Sequence, residues 1–357
     1  MSRASVLLSV LVVSGVAIAT GCKSKTGGLG IQNNTPPPGT PLAQGLGSPT
    51  VLAIDSSAIY FTDAPNGLVV KVTIANAVSA FPTVLTLAAG LANPFDIALD
   101  DTNVYCCERV PLGRIIQVPK SGGAYQVAAV ATQTPSLLVS DASHLYWFDT
   151  DGSVTSNVVA ATKTVPATVS VLASGVLAQS LLPDNGSLLV YEAPDVITGA
   201  STGKLTRIDP TTGIAVDIAT GLDDAALNLT SDAQSFFWIP NFFPVGPPGN
   251  EYTVASLGRS PGAVESLLLP LPGQLSGSFI PSLAVDGVSA YFIVNSFGNF
   301  GPNPFGLTSG KIQKVPVQGG AVVTLSSFSG NATSLVVDSV NVYWGDPSTG
   351  TIWFLPK

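Results

Sequence analysis

The chain has 357 residues, of which 46% are hydrophobic and only 10% are charged, with 36 glycines and 28 prolines. This composition is typical of many short buried strands joined by tight turns. The formal net charge is −8 and no cluster of lysine and arginine is interleaved with aromatic residues, which argues against nucleic acid and other phosphate-rich partners.

The first 21 residues predict a secretory signal peptide. Residues 1–3 form a short positive start, residues 4–21 form an apolar run, and small residues directly precede Cys22. This pattern resembles the signal of bacterial lipoproteins. The resemblance implies a diacylglycerol on the Cys22 sulfur, cleavage after Gly21 and attachment to a membrane through this lipid. An ordinary secretory signal with an incidental cysteine and a retained transmembrane anchor are the alternatives.

Residues 22–40 predict a lipid-anchored, flexible linker. The segment has too little apolar surface to offset the entropy lost on ordering it, and it carries no chemistry of its own. Signal and linker together predict a protein of the bacterial cell envelope, anchored at the outer membrane. The side of the membrane and the oligomeric state stay open.

A nine-residue frame that begins with aspartate organises the rest of the chain. Its clearest copy is DSVNVYWGD at residues 338–346, and related frames recur at intervals of 41 to 54 residues. Such a period is expected of four short strands per unit, which is the blade of a β-propeller. The frames therefore predict an all-β, seven-bladed β-propeller over residues 41–357. They begin at Asp55, Asp100, Asp141, Asp184, Asp232, Asp286 and Asp338.

The predicted second strand of each blade is a continuous apolar run and does not alternate. Examples are residues 59–61 (IYF), 145–147 (LYW) and 342–344 (VYW). A strand with this pattern buries both of its faces, which is what a blade packed between two others requires.

Three frames contain short motifs that carry a family resemblance: YFTD at residues 60–63, YWFD at 146–149 and YWGD at 343–346. They resemble the YWTD-type propeller repeats of lipoprotein receptors and the VDxxxVYW repeats of bacterial envelope lipoproteins. The resemblance implies the propeller architecture. YWTD propellers have six blades and this chain has seven frames, so the ligands of that family are not carried over.

The two ends of the repeat region predict how the ring closes. After the last frame, residues 351–355 supply a third strand and no fourth strand follows. Residues 41–46 precede the first frame as residues 85–91 precede the second. An N-terminal outer strand that joins three C-terminal strands would close the ring and leave no wide sheet edge exposed.

Acidic residues end most frames, where the second strand leads into the third. One hypothesis is an acidic rim that binds Ca²⁺, the one cofactor that the sequence suggests, because Ca²⁺ prefers several oxygen ligands. The favoured alternative is that each carboxylate caps its own turn, since the acids are spread around a ring. The aspartates that begin the frames also suit self-capping turns. The terminal acids are Asp63, Glu108, Asp149, Glu192 and Asp346.

Long connections between second and third strands distinguish blades 4 to 6, at residues 193–203, 241–251 and 295–310. Equivalent connections leave a propeller from one face, so we expect their aromatic and amide side chains to lie side by side. Such a surface suits a glycan or an extended peptide, because aromatic faces stack and amides fix orientation. The alternative is that the phenylalanines pack the loops or plug the channel mouth. The candidate ligand-binding residues are Phe242, Phe243, Tyr252, Asn295, Phe297, Asn299, Phe300 and Phe305.

Three functions compete. The favoured one is a non-catalytic propeller, without catalytic residues, that binds an unknown envelope protein or glycan through these loops. The second is a metal-assisted lactonase or hydrolase at the channel mouth. The predicted innermost strands are mostly apolar, and Asp96 and Asn228 are too few for a complete metal centre. The third is a scaffold without a small ligand.

The three cysteines leave one pair once Cys22 carries lipid. Cys106 and Cys107 are adjacent in a predicted strand, where neighbouring side chains point to opposite faces and a disulfide would be strained. A vicinal disulfide is one option, and two buried small apolar residues are the favoured one. With His144 as the single histidine, a zinc site has no support.

Overall fold

Strands make up the regular secondary structure of the part of the chain that the computed structural model describes. That part comprises residues 39–74, 82–164, 167–193, 202–222, 226–240, 254–260, 263, 265–268, 278–297 and 307–357. None of these residues forms a helix that could span a membrane. The predicted signal peptide, Cys22 and residues 23–38 of the predicted linker lie outside the described residues.

The described strands form seven antiparallel sheets in a ring, which confirms the predicted seven-bladed β-propeller. Blades 1 to 5 each use four consecutive strands, in order from the channel outward. Blade 1 has β2 (Val51–Ile54), β3 (Ala58–Asp63), β4 (Leu68–Thr73) and β5 (Val84–Ala88). Blade 2 has β6 (Pro94–Leu99), β7 (Asn103–Glu108), β8 (Arg114–Pro119) and β9 (Gln126–Val130). Blade 3 has β10 (Thr134–Ser140), β11 (His144–Thr150), β12 (Ser156–Thr162) and β13 (Val169–Val176).

Blades 4 and 5 keep this plan, whereas blades 6 and 7 vary it. Blade 4 has β14 (Ala178–Asp184), β15 (Ser187–Glu192), β16 (Gly203–Ile208) and β17 (Ala215–Leu222). Blade 5 has β18 (Ala226–Ser231), β19 (Ser235–Pro240), β20 (Ala255–Gly258) and β21 (Ser266–Leu267). Blade 6 has β22 (Ser278–Phe279), β23 (Leu283–Val285), β24 (Ser289–Phe297), β25 (Leu307–Pro316) and β26 (Val323–Phe328). Blade 7 has β27 (Ser334–Val337), β28 (Asn341–Asp346), β29 (Thr351–Pro356) and, from the other end of the chain, β1 (Thr40–Ala43).

The second strand of each blade buries both faces, as its continuous apolar sequence predicts. Every residue of β3 is buried. Successive side chains point to opposite sides of the sheet, so Tyr60 lies in the apolar cluster between blades 1 and 2 and Phe61 in the cluster between blades 7 and 1. In the described residues, one such cluster fills each of the seven boundaries between neighbouring blades.

The adjacent cysteines follow the same alternation. Cys106 packs in the cluster between blades 1 and 2, and Cys107 packs in the cluster between blades 2 and 3. Both thiols are free and buried, as expected for small apolar residues on opposite faces of one strand. Burial raises the pKa of Cys106 to about 12 and the pKa of Cys107 well above its usual value. Neither sulfur is therefore a thiolate at neutral pH.

The ring closes through the two ends of the propeller sequence, as predicted. Strand β1 pairs antiparallel with β29, and Pro41 lies opposite Trp353. The N–H of Leu46 then donates to the carbonyl oxygen of Gly350 at 2.9 Å, and the Leu46 side chain is buried between blades 7 and 1. The closing sheet thus joins residues more than 300 positions apart in sequence.

Blade 6 differs from its predicted boundaries. Its second and third strands pair as far as Phe297 with Leu307, so Asn295 and Gly310, predicted to bound a long loop, lie opposite each other in the ladder. The loop is shorter than predicted because the hairpin is longer. The innermost strand is also divided, since β22 and β23 both pair with β24 on either side of Pro281, which has no N–H to donate.

Removal of the closing strand should destabilise the whole domain. A chain that begins at Ser48 lacks β1 and the buried Leu46, so β29 loses its outer partner. We expect a loss of at least about 3 kcal/mol and a melting temperature lower by roughly 5 °C or more, measured by circular dichroism. A chain that begins at Gly39 is the control. Equal melting temperatures for the two chains would contradict this closure.

Candidate functional site

The connections between second and third strands leave one end of the propeller, which we call the loop face. The opposite end, which carries Asp55 and its equivalents, is the turn face. Blades 1, 2, 3 and 7 cross the loop face in a few residues, as between Asp63 and Leu68. The crossings of the other three blades run from Glu192 to Gly203, from Pro240 to Ala255 and from Phe297 to Leu307.

Most of the predicted ligand-binding residues belong to these three connections. Phe242, Phe243, Tyr252, Asn299, Phe300 and Phe305 lie outside the described residues. Phe297 is described through its backbone, which pairs with Leu307 at the end of the blade 6 hairpin. The described residues thus locate the strand ends that carry the three loops.

Asn295 has a role inside the fold. Its side chain is fully buried, and Nδ2 donates to Oδ1 of Asn331 at 2.8 Å and to the carbonyl oxygen of Ala332 at 2.7 Å. Both partners belong to the connection that leads from blade 6 into blade 7. The amide of Asn295 therefore holds two blades together and does not face a ligand at the surface.

Four of the acids that end the frames are buried, and two of these cap their own turns as predicted. Asp346 accepts the N–H of Ser348 at 3.0 Å. Asp63 accepts Nδ2 of Asn66 at 2.7 Å. Each carboxylate satisfies donors in the tight connection that follows its strand.

Glu108 and Asp149 bind a different segment. Asp149 accepts the N–H groups of Thr132 and Gln133 at 2.8 and 3.1 Å, and Glu108 accepts the N–H of Ala92 at 2.9 Å. These donors lie where the chain enters the blade from the preceding one. The self-capping prediction is wrong for these two acids. The incoming connection crosses the end of the strand, and its N–H groups, which have no partner in a sheet, donate to the carboxylates.

These contacts bear on the Ca²⁺ hypothesis. The buried acids already accept hydrogen bonds from backbone or side-chain donors, and Glu108 is paired with Arg114. Within the described ranges, no group of three or more His, Cys, Asp or Glu side chains is placed to hold a metal ion. Two of these acids thus cap their own turns, and Glu108 and Asp149 bind the connection from the preceding blade.

On the turn face, the aspartate that begins a frame binds both its own turn and a tyrosine. One carboxylate oxygen accepts the N–H groups two and three residues later, as Asp338 does from Val340 and Asn341 at 2.7 Å. The other oxygen accepts the hydroxyl of the tyrosine five residues later. Five frames share this geometry: Asp55–Tyr60, Asp100–Tyr105, Asp141–Tyr146, Asp286–Tyr291 and Asp338–Tyr343.

In several blades, a lysine or arginine of the following blade contacts the aspartate that begins the frame. Nζ of Lys120, in blade 2, lies 2.8 Å from Oδ2 of Asp55 and 5.4 Å from the centre of the Tyr60 ring, both in blade 1. The ammonium group is attracted by the carboxylate and by the electron-rich ring face. We call this arrangement of aspartate and cation an inter-blade clasp. The other clasps are Lys163–Asp100, Arg259–Asp184 and Lys357–Asp286.

The clasp keeps its aspartate ionised. Burial opposes the ionisation of Asp286, but the ammonium of Lys357, two backbone N–H groups and the Tyr291 hydroxyl outweigh it and lower the pKa to about 2. Burial and the neighbouring carboxylate raise the pKa of Tyr291 to about 12. At neutral pH the pair is therefore a carboxylate bonded to a neutral phenol.

Polar side chains in the innermost strands tie neighbouring blades around the channel. The N–H of Leu52, in blade 1, donates to Oγ of Ser334, in blade 7, at 3.0 Å. Asn228, one of the two exceptions in the apolar innermost strands, donates through Nδ2 to the carbonyl oxygen of Pro281 at 3.0 Å. These side chains bond across blade boundaries.

Asp96, on which the hydrolase hypothesis rests, belongs to the same set. Its Oδ2 accepts the N–H of Leu137, a residue held at a φ of 54°, which is unusual for a branched side chain. Burial raises the pKa of Asp96 to about 6, against the opposing effect of the Leu137 and Leu138 N–H groups and of Arg109. This carboxyl therefore stabilises an irregularity inside β10, the innermost strand of blade 3, where the pairing register shifts between Ser136 and Val139.

Comparison with known proteins identifies the architecture alone. Neither a family model nor a curated protein sequence matches this chain. The extracellular domain of a putative hybrid two-component system from B. thetaiotaomicron matches with a TM-score of 0.60 at 13% identity, covering 89% of this chain and 42% of that one. The WD40 β-propeller domain of Doa1 matches with a TM-score of 0.53 at 11% identity, covering 89% and 97%. Puromycin hydrolase matches with a TM-score of 0.53 at 13% identity, covering 84% and 50%.

These similarities agree with the sheet topology, and the chain is a β-propeller repeat protein. It spans half or less of the hydrolase and of the two-component system domain. At identities this low the similarity extends to the fold and not to the site.

Loss of one clasp should lower stability. Lys120→Met removes the ammonium from Asp55 and Tyr60 and leaves a partly buried carboxylate without its cation. We expect the free energy of unfolding to fall by about 2 kcal/mol. Urea unfolding would measure the change, with Lys311→Met, at an exposed position of β25, as the matched control. Equal losses in the two variants would show that the clasp contributes nothing specific.

The pKa of Asp96 predicts a difference in pH dependence. The folded-state pKa of Asp96 is about 6, against an ordinary value of 3.8, so proton binding stabilises the folded state. This stabilisation is complete below about pH 4 and is lost as the pH rises through 6. Asp96→Asn keeps an acceptor oxygen but does not ionise. Between pH 4 and 7 the wild type should lose up to about 3 kcal/mol more than this variant, measured by thermal unfolding. Parallel stability curves would contradict this.

Proposed function

We propose that this protein is a lipid-anchored envelope lipoprotein whose non-catalytic propeller binds a protein or a glycan through the long loops of blades 4 to 6. The observation that supports it is the grouping of the long connections. Three consecutive blades carry them on the loop face, whereas the four others cross that face in a few residues. Long connections in a compact domain are commonly functional.

The chemistry of these loops favours recognition over catalysis. They supply Phe242, Phe243, Tyr252, Phe300 and Phe305 together with Asn299. Aromatic rings stack on sugar rings or on peptide side chains, and an amide fixes orientation by hydrogen bonding. Elsewhere on the loop face the buried acids accept hydrogen bonds within the propeller, so we take the loops as the part of that face that meets a partner.

The alternative hydrolase has less support. Its one ionisable candidate in an innermost strand, Asp96, accepts a backbone N–H from the neighbouring blade. The similarity to puromycin hydrolase covers half of that protein and is a similarity of fold. A metal-assisted reaction would need further ligands from residues that the structure does not describe.

The proposed anchor is the lipid on Cys22, joined to the propeller by residues 23–38. This length would let the propeller work at a distance from the bilayer, with the loop face free to meet a partner in the envelope.

Capture from envelope extract tests the proposal. The triple variant Phe297→Ala, Phe300→Ala, Phe305→Ala should lose at least tenfold in retention of the bound partner without a change in melting temperature. The matched control replaces an exposed side chain of the turn face, Val288→Ala. Retention by the triple variant equal to that of the control would reject the loops as the binding surface.

The same experiment includes a test of the anchor. Cys22→Ser should move the protein from the membrane pellet to the supernatant, because the thiol that would carry the lipid is gone. Continued sedimentation of this variant with membranes would contradict lipid anchoring and would leave the binding result unaffected.

A further inference from the structure

The residue that follows the third strand has the same place in six blades. Its N–H donates to the carbonyl oxygen of the residue two positions after the aspartate of the frame. In blade 7 this bond joins Lys357 to Val340 at 3.0 Å, and in blade 1 it joins Ile74 to Ser57 at 2.8 Å. The six residues at this position are Ile74, Lys120, Lys163, Arg259, Val317 and Lys357.

Four of these positions carry the cation of a clasp, which shows how the fold binds an alkyl ammonium. Nζ of Lys357 lies 2.6 Å from Oδ2 of Asp286 and 5.2 Å from the centre of the Tyr291 ring. The ammonium meets the charged oxygen, and the alkyl chain of the lysine lies along the boundary between two blades.

The boundary between blades 7 and 1 has the aspartate and tyrosine of such a group, but the residue after the third strand of blade 1 is not a cation. The Tyr343 hydroxyl donates to Oδ2 of Asp338 at 2.8 Å, as in the complete clasps. Ile74 stands where the cation would be, and it packs against the apolar cluster of this boundary. Burial opposes ionisation of Asp338, but N–H donors, Tyr343 and the charge of Lys357 keep its pKa below the ordinary value.

A cleft lies at this boundary. Its volume is about 620 Å³, within the range of small-molecule sites. Aliphatic side chains form part of its lining, and polar residues from both blades form the rest. The aliphatic residues include Ile54, Ile74 and Val337, and the polar residues include Asp338 and Asp55, whose carboxylate is paired with Lys120.

The two other boundaries without a clasp differ from this one, although the Asp141–Tyr146 acceptor pair is also complete between blades 3 and 4. At the boundary between blades 3 and 4, Asp209 follows the third strand and its negative charge acts on Tyr146. At the boundary between blades 5 and 6, Asp232 has Phe237 five residues later and so has no hydroxyl partner there. Between blades 7 and 1, a complete aspartate–tyrosine acceptor without a cation is combined with a cleft.

We propose that this cleft binds a primary alkyl ammonium group, with the ammonium on Asp338 and the alkyl chain against Ile74 and Val337. The bound ammonium would contact Asp338 as the ammonium of Lys357, from the same chain, contacts Asp286 at the boundary between blades 6 and 7. A free aliphatic amine and the side chain of a lysine in a partner protein share this chemistry. The site lies on the turn face and is independent of the loops proposed above.

Calorimetric titration of the purified protein with n-butylammonium and with Nα-acetyl-lysine N-methylamide tests the proposal. Asp338→Asn should weaken binding at least tenfold, because the amide keeps the turn but has no charge. Asp232→Asn is the matched control, since Asp232 caps an equivalent turn through Gln234 and Ser235 and should leave binding unchanged.

A second variant makes the test independent of any loss of folding. Ile74→Lys places a lysine at the clasp position, so the variant should fill the site itself, lose ammonium binding and melt at a higher temperature than the wild type. Binding of both probes would assign the site to alkyl ammonium groups in general, and binding of the lysine amide alone would assign it to a protein side chain. The absence of binding by both probes, or wild-type affinity in the Asp338 and Ile74 variants, would overturn the proposal.

Discussion

Each second strand of this propeller has another blade against both of its faces, and the rest of the structure depends on that burial. Neighbouring residues such as Tyr60 and Phe61 serve two different apolar clusters. A substitution in one strand therefore acts on two boundaries at once. The same constraint accounts for the cysteines, since Cys106 and Cys107 fill opposite sides of one sheet and both thiols are free.

Burial of this kind leaves polar groups only at the two ends of the strand, and the chain uses both ends to hold neighbouring blades. On the turn face, aspartates such as Asp55 receive a cation from the next blade. On the loop face, Asp149 receives the N–H groups of the incoming connection. Around the channel, Asp96 and Ser334 bond across boundaries. Most of the ionisable residues that suggest a catalytic or metal site in the sequence therefore make contacts within the fold.

Departures from the repeat are concentrated in one arc of the ring. Blades 5 and 6 end their frames in Pro240 and Val294 where the others have an acid, and blades 4 to 6 have the long connections. The clasp residues Tyr60 and Tyr105 are replaced by Leu189 in blade 4 and Phe237 in blade 5. A propeller tolerates such variation because each blade packs only against its neighbours, so regular blades can hold the ring while others carry variable loops.

The amino-acid sequence by itself determined the number of blades, the burial of both faces of the second strands and the closure of the ring by residues near Pro41. These features follow from local patterns, because spacing, apolar continuity and turn residues act within one blade. Tertiary structure alone decided the partners of the charged and amide side chains. Lys120 and Asp55 are 65 positions apart, and Asn295 and Asn331 are 36 apart. Such pairs depend on the register and tilt of separate sheets, which no local pattern specifies, and so the clasps and the acceptor pair of Asp338 and Tyr343 were not predicted.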